Sequence, residues 1–121
     1  MVTTNTQHAA GARNATERLV LEACRLTCSV TDAVARRDRA LASQGRRAVQ
    51  SMALQYAEGA RALGGNRRAK LMGARSEAHE AAMALKLAVA CGLVDEARVA
   101  SALDALDHVA ATLWLMVHRP R

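Results

Sequence analysis

Proline, the residue that most firmly interrupts a helix, occurs once in this 121-residue chain, at position 120. Apart from seven glycines, nothing ahead of it forbids helix over roughly a hundred residues. Phe is absent and Trp and Tyr appear once each, so a chain that is 51% hydrophobic must build its core from Ala, Leu, Val and Met. That is a helix-former's composition, and it disfavours the sheet classes. At 12.9 kDa the chain has room for one domain with one core, which excludes a multidomain enzyme.

Apolar spacing divides the chain into four helices of about 14–36, 38–63, 67–91 and 95–118. Residues 1–13 carry no periodicity and are expected to be a disordered lead-in, and 119–121 a basic tail. Asn14 and Glu17 have capping-box spacing, and Leu19, Ala23, Leu26, Val30 and Val34 recur after them. Asp38 is placed to cap a second helix with the stripe Leu41, Ala48, Val49, Met52, Tyr56, Ala60 and Leu63, which Gly64, Gly65 and Asn66 then stop. The third helix ends at Gly92. Asp95 caps a fourth with Val99, Leu103, Leu106, Val109 or Ala110, Leu113 and Val117 inward. Four helices of similar length with short connections predict an all-α, antiparallel up-down four-helix bundle; a coiled-coil rod is the competing arrangement.

On the third helix Leu71, Ala74, Ala78, Leu85 and Val89 share one side, while Met72, Met83, Leu87 and Ala90 share another. One side suffices for a bundle core. The second, with Leu54 on the polar side of helix two and Leu115 on that of helix four, points to burial by another subunit, so Leu54, Met72, Met83, Leu87 and Leu115 are the candidate oligomer interface. Ala-rich helices also leave scattered apolar groups exposed as a matter of course, and that reading stays open.

The net charge is +6 and the pI near 10.2, a balance suited to an acidic partner such as nucleic acid. The charge is segregated along the chain. Between Ala33 and Arg75 stand ten basic residues, namely Arg36, Arg37, Arg39, Arg46, Arg47, Arg61, Arg67, Arg68, Lys70 and Arg75, against two acids, Asp38 and Glu58. From Ser76 to His118 two basic residues face six acids. On helix two, Arg39, Arg46, Gln50 and Arg61 fall within a narrow arc opposite the apolar stripe, with Arg47 at its edge, which is the layout that phosphate tracking requires. The guanidinium fork engages phosphate oxygens at two points. Codon bias would explain the excess of Arg over Lys and the abundant Ala, but not the segregation. A solvated basic face, an anionic membrane and an acidic protein are the other readings. Tyr56 and Trp114 lie on or beside apolar stripes, so no aromatic platform for single strands is expected, and a structured RNA suits the face best.

The segment Gln44 to Gly59, QGRRAVQSMALQYAEG, and the later ARSEAHE with Ala74, Arg75, Ala78 and Glu80 resemble the second- and third-helix signatures of the four-helix-bundle proteins encoded in 23S ribosomal RNA intervening sequences. That family includes the accessory variability protein of diversity-generating retroelements. The likeness covers about Leu19 to Val117. Gln55 and Tyr56 stand where the family commonly has Asn and Ile, Ser76 and Glu77 where it has Gly-Ser, and the aromatic residues usual in its first helix are missing. The resemblance implies a homopentameric, ring-like barrel of bundles whose basic surface binds RNA or DNA and, in the retroelement branch, a reverse transcriptase partner. Glu58 and Glu80, the acids at family-like positions, are read as salt-bridge partners that fix Arg side chains between helices.

No Glu-x-x-His, Gly-rich phosphate loop or nucleophile arrangement occurs, so neither a catalytic residue, a metal nor a cofactor is expected. Asp104 and His108 form only an i, i+4 pair. Cys24, Cys28 and Cys91 have neither disulfide nor zinc spacing and read as reduced thiols. The polar stretch Met1 to Asn14 lacks a signal-peptide core, and no apolar run approaches spanning length, so a cytoplasmic protein without membrane contact is expected. The leading functional expectation is a non-enzymatic nucleic-acid-binding protein. The alternatives are an oligomeric adaptor for a reverse transcriptase or other protein, and a self-assembling scaffold.

Overall fold

A computed structural model describes residues 5–119, apart from the side chains of residues 5–10, 12 and 13. Within these residues the chain forms four α-helices and no strand: α1 (Asn5–Ala35), α2 (Arg39–Arg61), α3 (Gly64–Ala90) and α4 (Glu96–His118). Each helix packs on its sequence neighbours and α1 also packs on α4, which closes a four-sided bundle with little α1–α3 contact across the diagonal. The connections Arg36–Asp38, Ala62–Leu63 and Cys91–Asp95 are too short for anything but antiparallel neighbours. The expected all-α bundle is the observed fold.

The helix ends correct the sequence expectations in several places. α1 starts at Asn5 rather than Asn14, so the lead-in is helical over residues 5–13, and residues 1–4 lie outside the described part. Asn14 and Glu17 are therefore interior helix positions; Ala9, Ala10 and Ala12 carry the helix past them toward the N-terminus. Asp38 does cap α2, its carboxylate accepting the Leu41 amide at 3.0 Å. Asp95 precedes α4 as expected, but its side chain makes no capping bond. Gly64, Gly65 and Asn66 do not terminate α2. They form the first turn of α3, Gly64 entering it at φ +58, and the link itself is only Ala62 and Leu63. Leu63, expected on the core stripe, is consequently 86% exposed.

At the end of α3, Gly92 adopts φ +72. Its amide donates to the Val89 carbonyl at 3.0 Å, and the Leu93 amide donates to the Ala88 carbonyl at 2.9 Å. This is the double bond pattern of a Schellman motif, which satisfies carbonyls that the helix end would otherwise leave open.

The core follows the expected stripes closely on α2, α3 and α4. Met52, Leu71, Leu85, Leu106 and Leu113 are its largest fully buried side chains, and small residues such as Ala74, Ala78 and Ala81 fill the space between. On α1 the buried line is Val20, Ala23, Thr27, Val30, Thr31 and Val34, with Leu19 and Leu26 at its margin. Thr31 donates to the Cys28 carbonyl at 3.1 Å, whereas the buried Thr27 hydroxyl has no partner. Cys24 donates to the Val49 carbonyl at 3.4 Å, and burial pushes its thiol up to about 11, with Cys28 adding to the rise.

α2 and α3 approach so closely that glycine is required between them. A Cβ on Gly59 would stand 2.8 Å from Leu71 Cδ2 and 3.2 Å from the Leu71 backbone nitrogen. One on Gly45 would meet Thr31 Cγ2 at 2.9 Å, at the meeting of α1 and α2.

Contrary to expectation, one element is long and apolar enough by composition to cross a membrane. That element is α4, of whose most apolar stretch a third is buried in the bundle.

Two stability changes follow from this packing. Gly59→Ala should destabilise the fold by about 1–3 kcal/mol in urea denaturation, because the obstacle includes backbone that cannot yield. Thr27→Val, which removes an unpartnered buried hydroxyl while keeping its shape, should stabilise by about 1 kcal/mol in the same assay.

Candidate nucleic-acid interface

Nine of the ten basic residues from Arg36 to Arg75 separate into two groups, those engaged in holding the bundle together and those without a partner among the described residues, and Arg46 stands between them. Arg37 donates to the Gly92 carbonyl at 2.7 Å, tying the α1–α2 connection to the C-terminal end of α3. Arg67 donates to the Met116 carbonyl at 3.3 Å, in the last turn of α4. In both places a guanidinium meets carbonyls at the negative end of a helix dipole. Lys70 Nζ lies 2.8 Å from Glu58 Oε2 and bridges α3 to α2. The Arg75 guanidinium lies 5.1 Å from the Trp114 ring centroid, and its buried Nε has no hydrogen-bond partner.

Glu58 thus holds a cation between helices as expected, although the cation is a lysine. Glu80 does not. Its exposed carboxyl shares a hydrogen bond with Glu77, which, with the repulsion between them, raises its pKa from its ordinary value.

Arg36, Arg39, Arg47, Arg61 and Arg68 have no hydrogen bond or ion pair among the described residues. Arg39 and Arg47 join Arg46 in one open groove along the first half of α2, lined by Ala35, Arg39, Ala42, Ser43, Arg46, Arg47 and Gln50. The turn of the helix produces it: at 100° per residue these polar positions share an arc, and Ala42 and Ala35 supply a floor too small to fill it. Among the described residues no carboxylate lines the groove. Arg46 Nη1 does contact Asp32 Oδ1 of α1 at 2.7 Å, and both side chains remain substantially exposed. The groove therefore offers three guanidinium groups, a hydroxyl and an amide along about 17 Å of helix.

The other predicted positions do not join this group. Arg61 lies about 21 Å beyond Arg47 along α2, by a different depression shared with Asn14, Glu17 and Tyr56. Arg68 lies in the second turn of α3 and Arg36 in the α1–α2 connection beside the groove. The one basic flank expected from the sequence is thus a focal groove with outlying cations, and Arg37, Arg67, Lys70 and Arg75 also hold contacts within the bundle. Ser43, which lines the groove, was missed by the sequence reading; its position one turn from both Arg39 and Arg47 is the signal that could have found it.

The five oligomer-interface candidates do not share a face either. Leu54 is 65% exposed on the outer arc of α2, between Gln50 and Arg61 and so among the basic residues. Met83 and Leu87 are exposed on α3 with Met72 half-buried, and Leu115 is exposed on α4 beside Trp114. Arg75, Ala111, Trp114 and Leu115 outline a shallow, mainly apolar depression, and the His118 ring stacks on Trp114 with centroids 3.5 Å apart. A groove between α3 and α4 carries His79, Lys86, Asp104 and Asp107. Among the described residues no cluster of His, Cys, Asp and Glu is arranged to hold a metal ion.

Engaged and free arginines should separate in a stability assay. Arg75→Ala should lower unfolding free energy by about 1 kcal/mol through the lost Trp114 contact, while Arg47→Ala should change it by less than about 0.5 kcal/mol.

The fold has a counterpart among solved structures. A crystal structure of a protein of unknown function from the S23 ribosomal protein family of Bacteroides thetaiotaomicron is similar to this chain at a TM-score of 0.78 and 16% identity, covering 85% of this chain and 98% of that one. No protein-family model matches this chain, and no curated protein matches it. The likeness is one of fold.

Proposed function

We propose that this chain is a non-enzymatic nucleic-acid-binding bundle that holds RNA, or DNA, by phosphate contacts along α2. The observation that carries the reading is the convergence of Arg39, Arg46 and Arg47 with Ser43 and Gln50 in one groove, where Arg39 and Arg47 have no ion-pair partner among the described residues. Guanidinium groups bind phosphate oxygens in two-point geometry, and hydroxyl and amide donors complete such contacts without reading sequence. Tyr56 is 4% exposed and Trp114 stands on α4, so the groove has no aromatic side chain on which a base could stack. Recognition rests on backbone charge and shape, which favours a structured RNA.

The exposed apolar side chains on α3 and α4 support a second, compatible reading. Met83, Leu87, Trp114 and Leu115 lie away from the α2 groove, so a protein partner could cover them while the groove stays open. Another copy of the chain, in the homopentameric ring that the family resemblance implies, or a reverse transcriptase are the partners this reading proposes. Leu54 belongs with the groove face and not with this surface. A cytoplasmic setting is part of the proposal for either reading.

Filter binding of an RNA hairpin tests the proposal. Two to three phosphates neutralised by the groove should weaken binding by about ten- to fortyfold between roughly 50 and 200 mM salt. Replacing Arg39, Arg46 and Arg47 together by Glu should abolish retention with the helical circular dichroism signal intact. Retention that ignores salt, or that survives the triple replacement, would defeat the reading. Solution mass and absorbance at 260 nm of the purified protein separate an RNA-bound bundle from a bare self-assembling scaffold.

A further inference from the structure

We infer that Asp32 sets the affinity of the α2 groove for phosphodiesters by acting as a built-in counter-anion to Arg46. The inference rests on the phosphate-binding reading above and adds to it a residue from a different helix. Asp32 lies in the last turns of α1, and its Oδ1 accepts from Arg46 Nη1 at 2.7 Å across the α1–α2 seam. Of the three guanidinium groups in the groove, this one alone has a carboxylate partner among the described residues. Arg39 and Arg47 have none.

The pair is exposed, with relative side-chain accessibilities of 45% for Arg46 and 71% for Asp32, so water and salt weaken it and the fold does not depend on it. An anion so near the C-terminal end of α1 is also disfavoured by the helix dipole, so neutralising Asp32 does not harm the helix. The effect on a ligand is different. Polyanion binding draws its salt-dependent free energy from counterions released as each phosphate is neutralised. An arginine already neutralised by a carboxylate contributes little to that release, and the carboxylate stands within a screening length of about 8–10 Å of any phosphate bound at Arg46. The groove thus holds three arginines with the electrostatic strength of about two. One ion-pair contact occupies one of the five guanidinium donors, so Arg46 is positioned for phosphate and restrained by the same contact.

The experiment measures binding of a labelled RNA hairpin, and of a DNA hairpin of equal length, across a salt series. The proteins are the wild type, Asp32→Asn, Asp32→Glu, Arg46→Ala, the Asp32→Asn/Arg46→Ala double variant, and Arg39→Glu/Arg47→Glu. Asp32→Asn is expected to bind about five- to tenfold more tightly at low salt, and to steepen the slope of log affinity against log salt by about 0.9, the increment for one added phosphate contact. Asp32→Glu should stay near wild type. Arg46→Ala should weaken wild-type binding several-fold, because it removes a groove guanidinium and leaves the Asp32 carboxylate uncompensated, and Asp32→Asn should gain less in that background than in the wild type. Equal gains on both hairpins place the effect on the shared phosphodiester backbone; a gain on RNA alone or DNA alone assigns it to that nucleic acid. If Asp32→Asn binds as wild type or more weakly while Arg39→Glu/Arg47→Glu is impaired, the inference is wrong and phosphate binding stands. If Arg39→Glu/Arg47→Glu binds both hairpins like wild type, phosphate binding by the groove falls and the role of Asp32 falls with it.

Discussion

The close packing of α2 on α3 is the constraint from which the rest of the arrangement descends. With no Phe in the chain and one Trp and one Tyr, the core has little bulk to separate its helices, and alanines and glycines fill the seams. At Gly59 the two helices come so near that even a methyl group would meet the Leu71 side chain at 2.8 Å and crowd its backbone nitrogen at 3.2 Å. Helices packed this tightly must turn every long polar side chain outward or seat it along a seam. The basic residues on these helices therefore have two destinations, and their chemistry divides accordingly.

Those at seams and ends become fasteners. Arg37 and Arg67 each reach a carbonyl at the C-terminal end of a helix other than their own, Lys70 spans α3 to α2, and Arg75 lies against Trp114. Those on the outer arc of α2 remain available to a ligand. Arg46 stands between the classes, in the groove yet paired with a carboxylate of α1. Net charge says nothing of this division, because a guanidinium bound to a carbonyl and one facing water count the same in a composition.

The apolar period carried most of the fold. The stripes of α2, α3 and α4, the Asp38 cap and the stop at Gly92 are local properties of the chain, and the structure keeps them. What the sequence could not disclose was tertiary or depended on missing contrast. Between Asn5 and Asn14 only Gly11 opposes helix, yet nothing there is periodic, so periodicity alone starts α1 too late. Thr27 and Thr31 look like surface residues and are buried because the α1 seam admits only small side chains. The Gly64-Gly65 pair has the chemistry of both a helix stop and a helix entry, and the side on which it falls is decided by the packing of its neighbours. For the groove, the sequence located the arc of Arg39, Arg46 and Arg47. It could not reveal Asp32, because that contact joins residues on separate helices, nor that Arg37, Arg67 and Arg75 are occupied elsewhere.

Trp114 is the single indole of the chain, and it lies between α3 and α4, in contact with the Arg75 cation and the His118 ring. Its ultraviolet emission is accordingly a gauge of one seam, responsive to the spacing of those two helices and to charge beside the ring. The arginine groove belongs to α2 and has no fluorophore of its own. Light from this protein thus reports on the joint between its last two helices, and a ligand seated on the second would register there only by prising that joint apart.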